Sequence, residues 1–340
     1  MFICLSKFTL KIIDLSGYMF SGKSAVSDIL REFDGIQVPN YRVEFDLLRM
    51  PGGMIDLKHA VMDWSPVRTY GAVRRFDKLV NMLALSPRFP GKLYKTGFGY
   101  TQHYPNILRL KDEFLRSIIA VQWDTPWPYA DIDDGPIDTF VRKICSKLSI
   151  SKSRKYFLVD KEKFIPASQK FIQGLLINSI ANDQPSVVVT HNALEPFLPG
   201  RNLDLLGDDA VCIVVDRDPR DIYATAITSQ VGFNDNLRFY RRIAGAHDVE
   251  VFIKRYLIYR KNINFDDRRV LRLNFRDLVL DYNQSLQEIC DFSGLELTQQ
   301  IRKRQFFNPD NSRNNIDIWK QASLNSYSED FSRIETECHA

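Results

Sequence analysis

The sequence contains few cysteines, little net charge and no long uninterrupted apolar run. Its five cysteines are an odd number without the spacing of metal ligands, which argues against a disulfide scaffold and against a zinc site. The net charge of +4 is too small for a dedicated nucleic-acid binder. The sequence contains no run of about 18 apolar residues, which is the length that a membrane-spanning helix needs. We therefore expect a water-soluble protein in a reducing compartment, the cytoplasm.

The composition is that of an ordinary globular protein. Apolar residues make up 44% and charged residues 26% of the 340 positions, which argues against disorder, collagen-like repeats and coiled coils. The apolar N-terminus is interrupted by Lys7, Lys11 and Asp14, so it predicts a first strand rather than a signal peptide. We expect residues 1–340 to form one domain, with the proline- and aromatic-rich residues 52–163 as an insertion or lid facing the substrate.

Predicted strands alternate with predicted helices outside that middle segment. Residues 8–15, 187–189, 211–215 and 271–275 have the apolar content of strands, and two of these segments are continuous valine-rich runs typical of strands buried on both faces. Apolar residues at helical spacing predict a helix over 24–33 and another that ends near Gly294. The alternation predicts the α/β class, a three-layer P-loop-type fold with a central parallel sheet.

A phosphate-binding loop is predicted between the first strand and the first helix. Residues 17–24 read Gly-Tyr-Met-Phe-Ser-Gly-Lys-Ser and match the pattern GxxxxGK[ST] in full. Glycines let the backbone curl so that successive N–H groups point inward, and the lysine ammonium neutralises phosphate charge. The predicted nucleotide-binding residues of this loop are Gly17, Tyr18, Phe20, Ser21, Gly22, Lys23, Ser24 and Ala25. The loop does not name the reaction, because nucleotide kinases, NTPases and other transferases share it.

A second motif follows the predicted strand at 211–215. Arg217 comes directly after the strand, and Thr225 lies eight positions later in a predicted helix. Here the sequence resembles the sulfotransferases that use 3′-phosphoadenosine 5′-phosphosulfate (PAPS), whose 3′-phosphate site has an Arg and a Ser at this spacing. A guanidinium fork and a hydroxyl donor are what a 3′-phosphate needs.

The resemblance continues towards the C-terminus. Residues 274–279, which include Phe275, resemble the aromatic-acidic segment that follows a late strand in the family. Residues 290–295 resemble the end of the helix that comes after this segment. Residues 313–320 are similar to the C-terminal loop in which an Arg, here Arg313, reaches the 3′-phosphate ahead of a Trp-Lys pair. The resemblance covers about residues 8–33 and 186–321. It implies transfer of the sulfuryl group of PAPS to a hydroxyl acceptor, with a sugar or glycan as the candidate class, and no metal.

Sulfuryl transfer needs a group for the departing phosphate and a base for the acceptor proton. Lys23 fits the first role. For the second, His191 follows the strand at 187–189, where α/β sheets place ligands, and the cytosolic branch of the family has its histidine base in a similar proline-bearing loop. Glu44 is the rival, because in the glycan-modifying branch a Glu about this far beyond the phosphate loop takes the proton.

Two other functions stay open at this point. A kinase that uses ATP and Mg²⁺ would place Ser24 on the metal and use Asp216, at the end of the strand at 211–215, as the Walker B acid on the metal side. A binding protein could retain the nucleotide pocket without catalysis. Neither the acceptor nor the oligomeric state is indicated by the sequence.

Overall fold

The computed structural model describes residues 10–39, 44–85, 99–127, 129–130, 135–148, 154–178, 185–228 and 237–338. The chain divides into two compact units, of which the first is Met1–Arg49 with Ile180–Ala340 and the second is Met50–Ser179. Phe8, where the first strand was predicted to begin, lies outside the described residues.

The first unit contains a five-stranded parallel sheet in the order β2-β5-β1-β6-β7. Its strands, numbered in chain order, are β1 (Lys11–Gly17), β2 (Ile36–Gln37), β5 (Val187–His191), β6 (Val211–Asp216) and β7 (Val270–Asn274). All five residues of β5 are buried, so both faces of the sheet are covered, as the valine-rich sequence predicts. The predicted α/β class with a central parallel sheet is confirmed.

The described helices of the first unit follow or flank these strands. They are α1 (Lys23–Leu30), α7 (Pro219–Thr228), α8 (Leu237–Ile243), α9 (Val249–Lys261), α10 (Phe275–Leu280), α11 (Tyr282–Ser293), α12 (Pro309–Ser312) and α13 (Ser328–Cys338). Single-turn helices of 3₁₀ type cover Pro199–Leu205, Leu297–Gln299, Arg313–Asn315, Ile318–Lys320 and Ala322–Tyr327. The predicted helix end at Gly294 is confirmed, because Gly294 takes a left-handed backbone (φ 65°) at the C-cap of α11.

Two apolar clusters hold the first unit together. In one, Ile13 and Leu15 of β1 pack with Val26 and Ile29 of α1 and with residues of β5, β6, β7, α10 and α11. In the other, α7 and α9 pack with α13, with Tyr223 and Phe252 at the centre. The sheet cluster fixes β1 and α1, and therefore the loop between them.

The second unit consists mainly of helices. Its elements are α2 (Met54–Met62), α3 (Pro66–Ala84), α4 (Ile107–Ile118), β3 (Ile119–Thr125), α5 (Pro136–Lys147), β4 (Arg154–Val159) and α6 (Lys161–Asn178), with a 3₁₀ turn at Tyr100–Gln102. The two strands pair antiparallel, and α5 lies between them in sequence. Phe76, Phe114 and Phe171 pack edge-on and face-on in its core. The role of residues 52–163 as a lid stays a prediction. Among the described residues, no helix is both long and apolar enough to cross a bilayer.

Candidate functional site

The phosphate loop connects the end of β1 to the first turn of α1. Phe20 and Gly22 both have left-handed backbone angles, with φ of 64° and 95°. The Ser21 N–H donates to the Tyr18 carbonyl at 3.1 Å and closes the turn. Within the described residues, the N–H groups of Gly22, Lys23 and Ser24 have no acceptor. The loop therefore presents free N–H donors at a helix N-terminus, which is the arrangement that binds an anion.

Gly22 is required at its position for two reasons. Its φ of 95° is unfavourable for residues with a side chain, and a Cβ atom built there would lie 2.3 Å from Cδ2 of Phe275. Phe275, the first residue of α10, thus packs directly on the loop. Of the predicted loop residues, Ser21 and Ala25 are buried, whereas Ser24 is exposed.

Lys23 and Glu44 form a partly buried ion pair. Lys23 Nζ lies 3.4 Å from Glu44 Oε1, and Arg49 Nη2 donates to Oε2 at 2.7 Å. The side-chain amide of Asn192 donates to both carboxylate oxygens at 2.8 Å. Burial alone would raise the pKa of Glu44, but Lys23, Asn192 and Arg49 outweigh it and hold the pKa below its ordinary value. Burial lowers the pKa of Lys23, and Glu44 opposes that shift.

The turn after β5 is anchored by a carboxylate in the middle of β1. Asp14 is fully buried and accepts hydrogen bonds from the Thr190 hydroxyl at 2.8 Å and from the N–H groups of Ala193 and Leu194 at 2.9 and 3.1 Å. The Ser16 hydroxyl donates to it as well, at 2.9 Å. Burial raises the pKa of Asp14 despite these donors. The signal in the sequence was an acid inside an apolar strand, which the sequence analysis used only as an argument against a signal peptide.

His191 is the last residue of β5 and lies beside that anchored turn. Its Nε2 is 3.1 Å from the Ser27 hydroxyl of α1, and its Nδ1 is buried without a partner among the described residues. Burial, with Lys23 nearby, lowers the pKa of His191 to about 4. The imidazole is therefore neutral at neutral pH, and the lowered pKa makes it a weaker base than an exposed histidine.

Arg217 follows β6, which lies on the side of β1 opposite to β5, and it contacts the phosphate loop. Its Nη1 donates to the Phe20 carbonyl at 2.8 Å and to the Thr225 hydroxyl at 3.3 Å, and its Nη2 donates to the Asn315 carbonyl. The guanidinium stacks over the Phe275 ring at 5.1 Å. Its Nε has no partner within the described residues, and burial lowers its pKa. The sequence motif thus forms one cluster that touches the loop.

The C-terminal segment completes this side but leaves Arg313 at the surface. A cavity of about 130 Å³ is lined by Arg217, Phe275 and Arg276 among others. Asp221 accepts from the Asp317 N–H at 3.0 Å, which ties the segment to α7. Arg313 is 61% exposed and its Nε lies 3.5 Å from Asp310. The predicted 3′-phosphate contact of Arg313 is untested, and Arg276 is a residue that the sequence analysis missed.

The phosphate loop and the two candidate bases share one larger cavity of about 710 Å³. It is lined by the loop from Gly17 to Ser24 together with Glu44 and His191. The sequence analysis missed Arg49, Asn192, Tyr240, Arg255 and Tyr259, which line the same cavity. Tyr18 and Phe197 contribute aromatic rings 5.4 Å apart to its wall. The two candidate bases therefore face one space beside the phosphate loop.

Asp216, the acid that a kinase would use, is paired with arginines. Its carboxylate lies 3.6 Å from Arg260 and 3.8 Å from Arg272. Burial raises its pKa, and the two guanidinium groups oppose that shift.

Comparison with known proteins finds a family match for part of the chain. Residues 202–299 match the model described as sulfotransferase family. The predicted resemblance to sulfotransferases is confirmed there. The matched segment contains Arg217, Thr225 and Phe275 but neither the phosphate loop nor the two candidate bases.

Three solved structures are similar to the chain at low identity. The sulfotransferase domain of the Synechococcus PCC 7002 olefin synthase is 14% identical (TM-score 0.39), with 97% of this chain and 94% of that chain covered. The sulfotransferase domain from the curacin biosynthetic pathway is 13% identical (TM-score 0.39), with 97% of each covered. Sulfotransferase STF9 from Mycobacterium avium is 13% identical (TM-score 0.36), with 98% of this chain and 76% of that one covered. A search among curated proteins finds no significant match.

Proposed function

We propose that this protein is a sulfotransferase that moves the sulfuryl group of PAPS to a hydroxyl acceptor. The observation that carries the proposal is the contact between Arg217 and the phosphate loop, 2.8 Å from Nη1 to the Phe20 carbonyl. It brings two basic groups, Lys23 and Arg217, to one loop. A donor with charge at both the 5′ and the 3′ position of one ribose needs two basic groups beside one loop, as these two provide.

The residues fit the donor. The N–H groups of Gly22, Lys23 and Ser24 would hold the 5′-phosphate, and Arg217 would hold the 3′-phosphate, with the Thr225 hydroxyl turning to it from the Asp221 carbonyl, to which it donates at 2.7 Å. Phe275 packs against both sites and fixes their separation. A bound phosphate would offset the cost of burying Arg217, whose Nε is otherwise without a partner in the described chain.

In the transfer, the acceptor oxygen forms a bond to sulfur while the bond from sulfur to the 5′-phosphate oxygen breaks. Charge develops on the departing phosphate, and Lys23 at the start of α1 is positioned to stabilise it. The acceptor proton passes to a base. The products are a sulfate ester and 3′-phosphoadenosine 5′-phosphate.

Both candidate bases are unprotonated at neutral pH. His191 is neutral because burial lowers its pKa to about 4, a shift that also weakens it as a base, and its Nδ1 is buried without a partner among the described residues. Glu44 is ionised, but Lys23, Arg49 and Asn192 reduce its basicity. When Lys23 turns to the donor phosphate, Glu44 loses one of these partners and its pKa rises. We favour His191 and keep Glu44 as the rival.

We propose that the acceptor is a hydroxyl-bearing molecule of the sugar or glycan class. We also propose that the protein is located in the cytoplasm. The cavity wall combines aromatic rings, such as Tyr240 and Tyr259, with charged groups such as Glu195. A sugar can bind to both kinds of group, because its ring faces stack on aromatic side chains and its hydroxyls hydrogen-bond to polar side chains. The kinase alternative is less well supported, because Asp216 is paired with Arg260 and Arg272.

A thermal-shift measurement tests the donor. We expect 3′-phosphoadenosine 5′-phosphate to stabilise the protein without added metal, by about 2.7 kcal/mol when its concentration is a hundred times Kd. ATP with Mg²⁺ should stabilise it much less, because it carries no 3′-phosphate for Arg217. Stabilisation by ATP with Mg²⁺ and none by the bisphosphate would replace the sulfotransferase proposal with the kinase.

A further inference from the structure

Helix α5 of the second unit has a continuous apolar face that is exposed. Ile137, Val141, Ile144 and Leu148 are three or four positions apart in turn, and Phe140 lies four positions before Ile144, so the five side chains form one stripe along the helix and its C-cap. All five are exposed, with Ile137 at 79% and Phe140 at 66%. Scattered exposed apolar residues are normal, but a whole stripe of them marks a surface that binds something.

The packing of the helix does not explain its apolar stripe, because its half-buried residues, Thr139, Arg142 and Cys145, lie on the opposite side. None of its 12 residues is buried. Helices of this length are marginal in water when isolated, and in proteins they draw their stability from burying an apolar face. The stripe on α5 therefore needs a covering surface outside the described part of this unit.

The charges of α5 and of the segment after it are mainly basic, whereas residues 124–134 before it carry four acids and no base. Within α5, Arg142, Lys143 and Lys147 face a single acid, Asp138. From Pro136 to Lys155 the sequence carries six bases and one acid. Lys143 and Lys147 are exposed and lie on the flank of the stripe. This combination of an apolar stripe with basic flanks complements an anionic lipid surface.

Size and neighbouring residues favour a lipid surface over a second copy of the chain. A helix of 12 residues is about 18 Å long, and its single face is far smaller than the roughly 800 Å² per partner that a stable protein interface buries. Insertion into a lipid headgroup region has no such minimum, because each apolar side chain contributes separately. Trp123 and Tyr129 of the same unit are also exposed, and these residue types favour the lipid–water interface.

We propose that α5 lies in the plane of an anionic lipid surface, with its apolar stripe among the acyl chains and its lysines at the headgroups. The helix would bind at the surface without crossing the bilayer. The proposal is independent of the proposed function, because it concerns binding in the absence of donor and acceptor.

Vesicle sedimentation of the full chain tests the apolar stripe. We expect the protein to bind phosphatidylcholine vesicles that contain phosphatidylserine, and F140E/I144E to bind at least about tenfold more weakly. Both residues are exposed, so the variant should keep the far-UV circular dichroism and thermal unfolding of the original protein. The matched control is I258E, which changes an equally exposed apolar residue on α9 and should leave binding unchanged.

A charge-reversal pair tests the role of the lysines. K143E/K147E should weaken binding to the phosphatidylserine vesicles, whereas K254E/K261E on α9 should not, although both change the net charge equally. The comparison uses phosphatidylcholine vesicles with and without phosphatidylserine. If the protein binds neither kind of vesicle, or binds both equally, the proposal is overturned. So would a dimer in light scattering that F140E/I144E dissociates, since this result would assign the stripe to a second copy.

Discussion

The ends of β5 and β6, which flank β1 on its two sides, carry the two halves of the candidate site and are built differently. At β6, Arg217 and Thr225 are eight positions apart and contact each other directly. At β5, the turn with His191 is held by Asp14, and the Thr190 hydroxyl reaches it across 176 positions. The difference teaches that the Arg217–Thr225 pair is a local motif, whereas its contact with the phosphate loop, 197 positions away at Phe20, and the half with the candidate bases depend on the tertiary fold.

The largest effect is expected from removing the candidate base at the β5 end. His191→Ala should lower kcat by about a thousandfold, because a general base contributes about 10² to 10⁴ in rate. Binding of the bisphosphate should hardly change, since His191 lies beside Ser27 rather than at Arg217. Steady-state kinetics and bisphosphate titration measure the two quantities.

Glu44→Gln is the matched variant for that experiment. It keeps the hydrogen bond to Asn192 but removes the charge beside Lys23, so a modest loss of kcat is expected if His191 is the base. If His191→Ala retains substantial turnover while Glu44→Gln is inactive, the role of base passes to Glu44.

The next effect concerns the anchor of the same turn. Asp14→Ala should lower the free energy of unfolding by about 3 kcal/mol or more, because it leaves the buried N–H groups of Ala193 and Leu194 without an acceptor. Urea unfolding followed by circular dichroism measures the change. Asp14→Asn keeps one carbonyl oxygen and should lose less. If Asp14→Ala is as stable as the original protein, the turn does not depend on this carboxylate.

This contrast also explains what the sequence could predict. The phosphate loop, Arg217 with Thr225 and the C-cap at Gly294 are short patterns whose geometry follows from neighbouring residues, and they were predictable. The bidentate contact of Asn192 with Glu44 joins residues 148 positions apart, so no local pattern contains it. In the same way, weak periodicity in residues 52–163 gave no sign of the long α3, which spans Pro66–Ala84.

A smaller effect is expected at the β6 end. Arg217→Ala should weaken binding of 3′-phosphoadenosine 5′-phosphate by about ten- to a hundredfold, the value of a charge-assisted hydrogen bond. A nucleotide without the 3′-phosphate should be affected much less. Isothermal titration with both ligands measures the ratio, and Arg217→Lys is the control that keeps the charge without the fork. Equal weakening of both ligands would mean that Arg217 supports the loop through the Phe20 carbonyl and does not read the 3′-phosphate.

The smallest effect distinguishes two arginines near that cluster. Arg276 and Arg313 are both exposed and ion-paired, with Asp317 and Asp310 respectively, but of the two only Arg276 lines the cavity beside Arg217. If these positions persist when the donor binds, Arg276→Ala should weaken the bisphosphate several-fold and Arg313→Ala by less than about twofold, because Arg313 does not face that cavity. The opposite order in titrations of the two variants would mean that the segment from Arg313 to Lys320 moves towards the 3′-phosphate on binding. That movement would make the C-terminal segment, and not the end of β6 alone, part of the donor site.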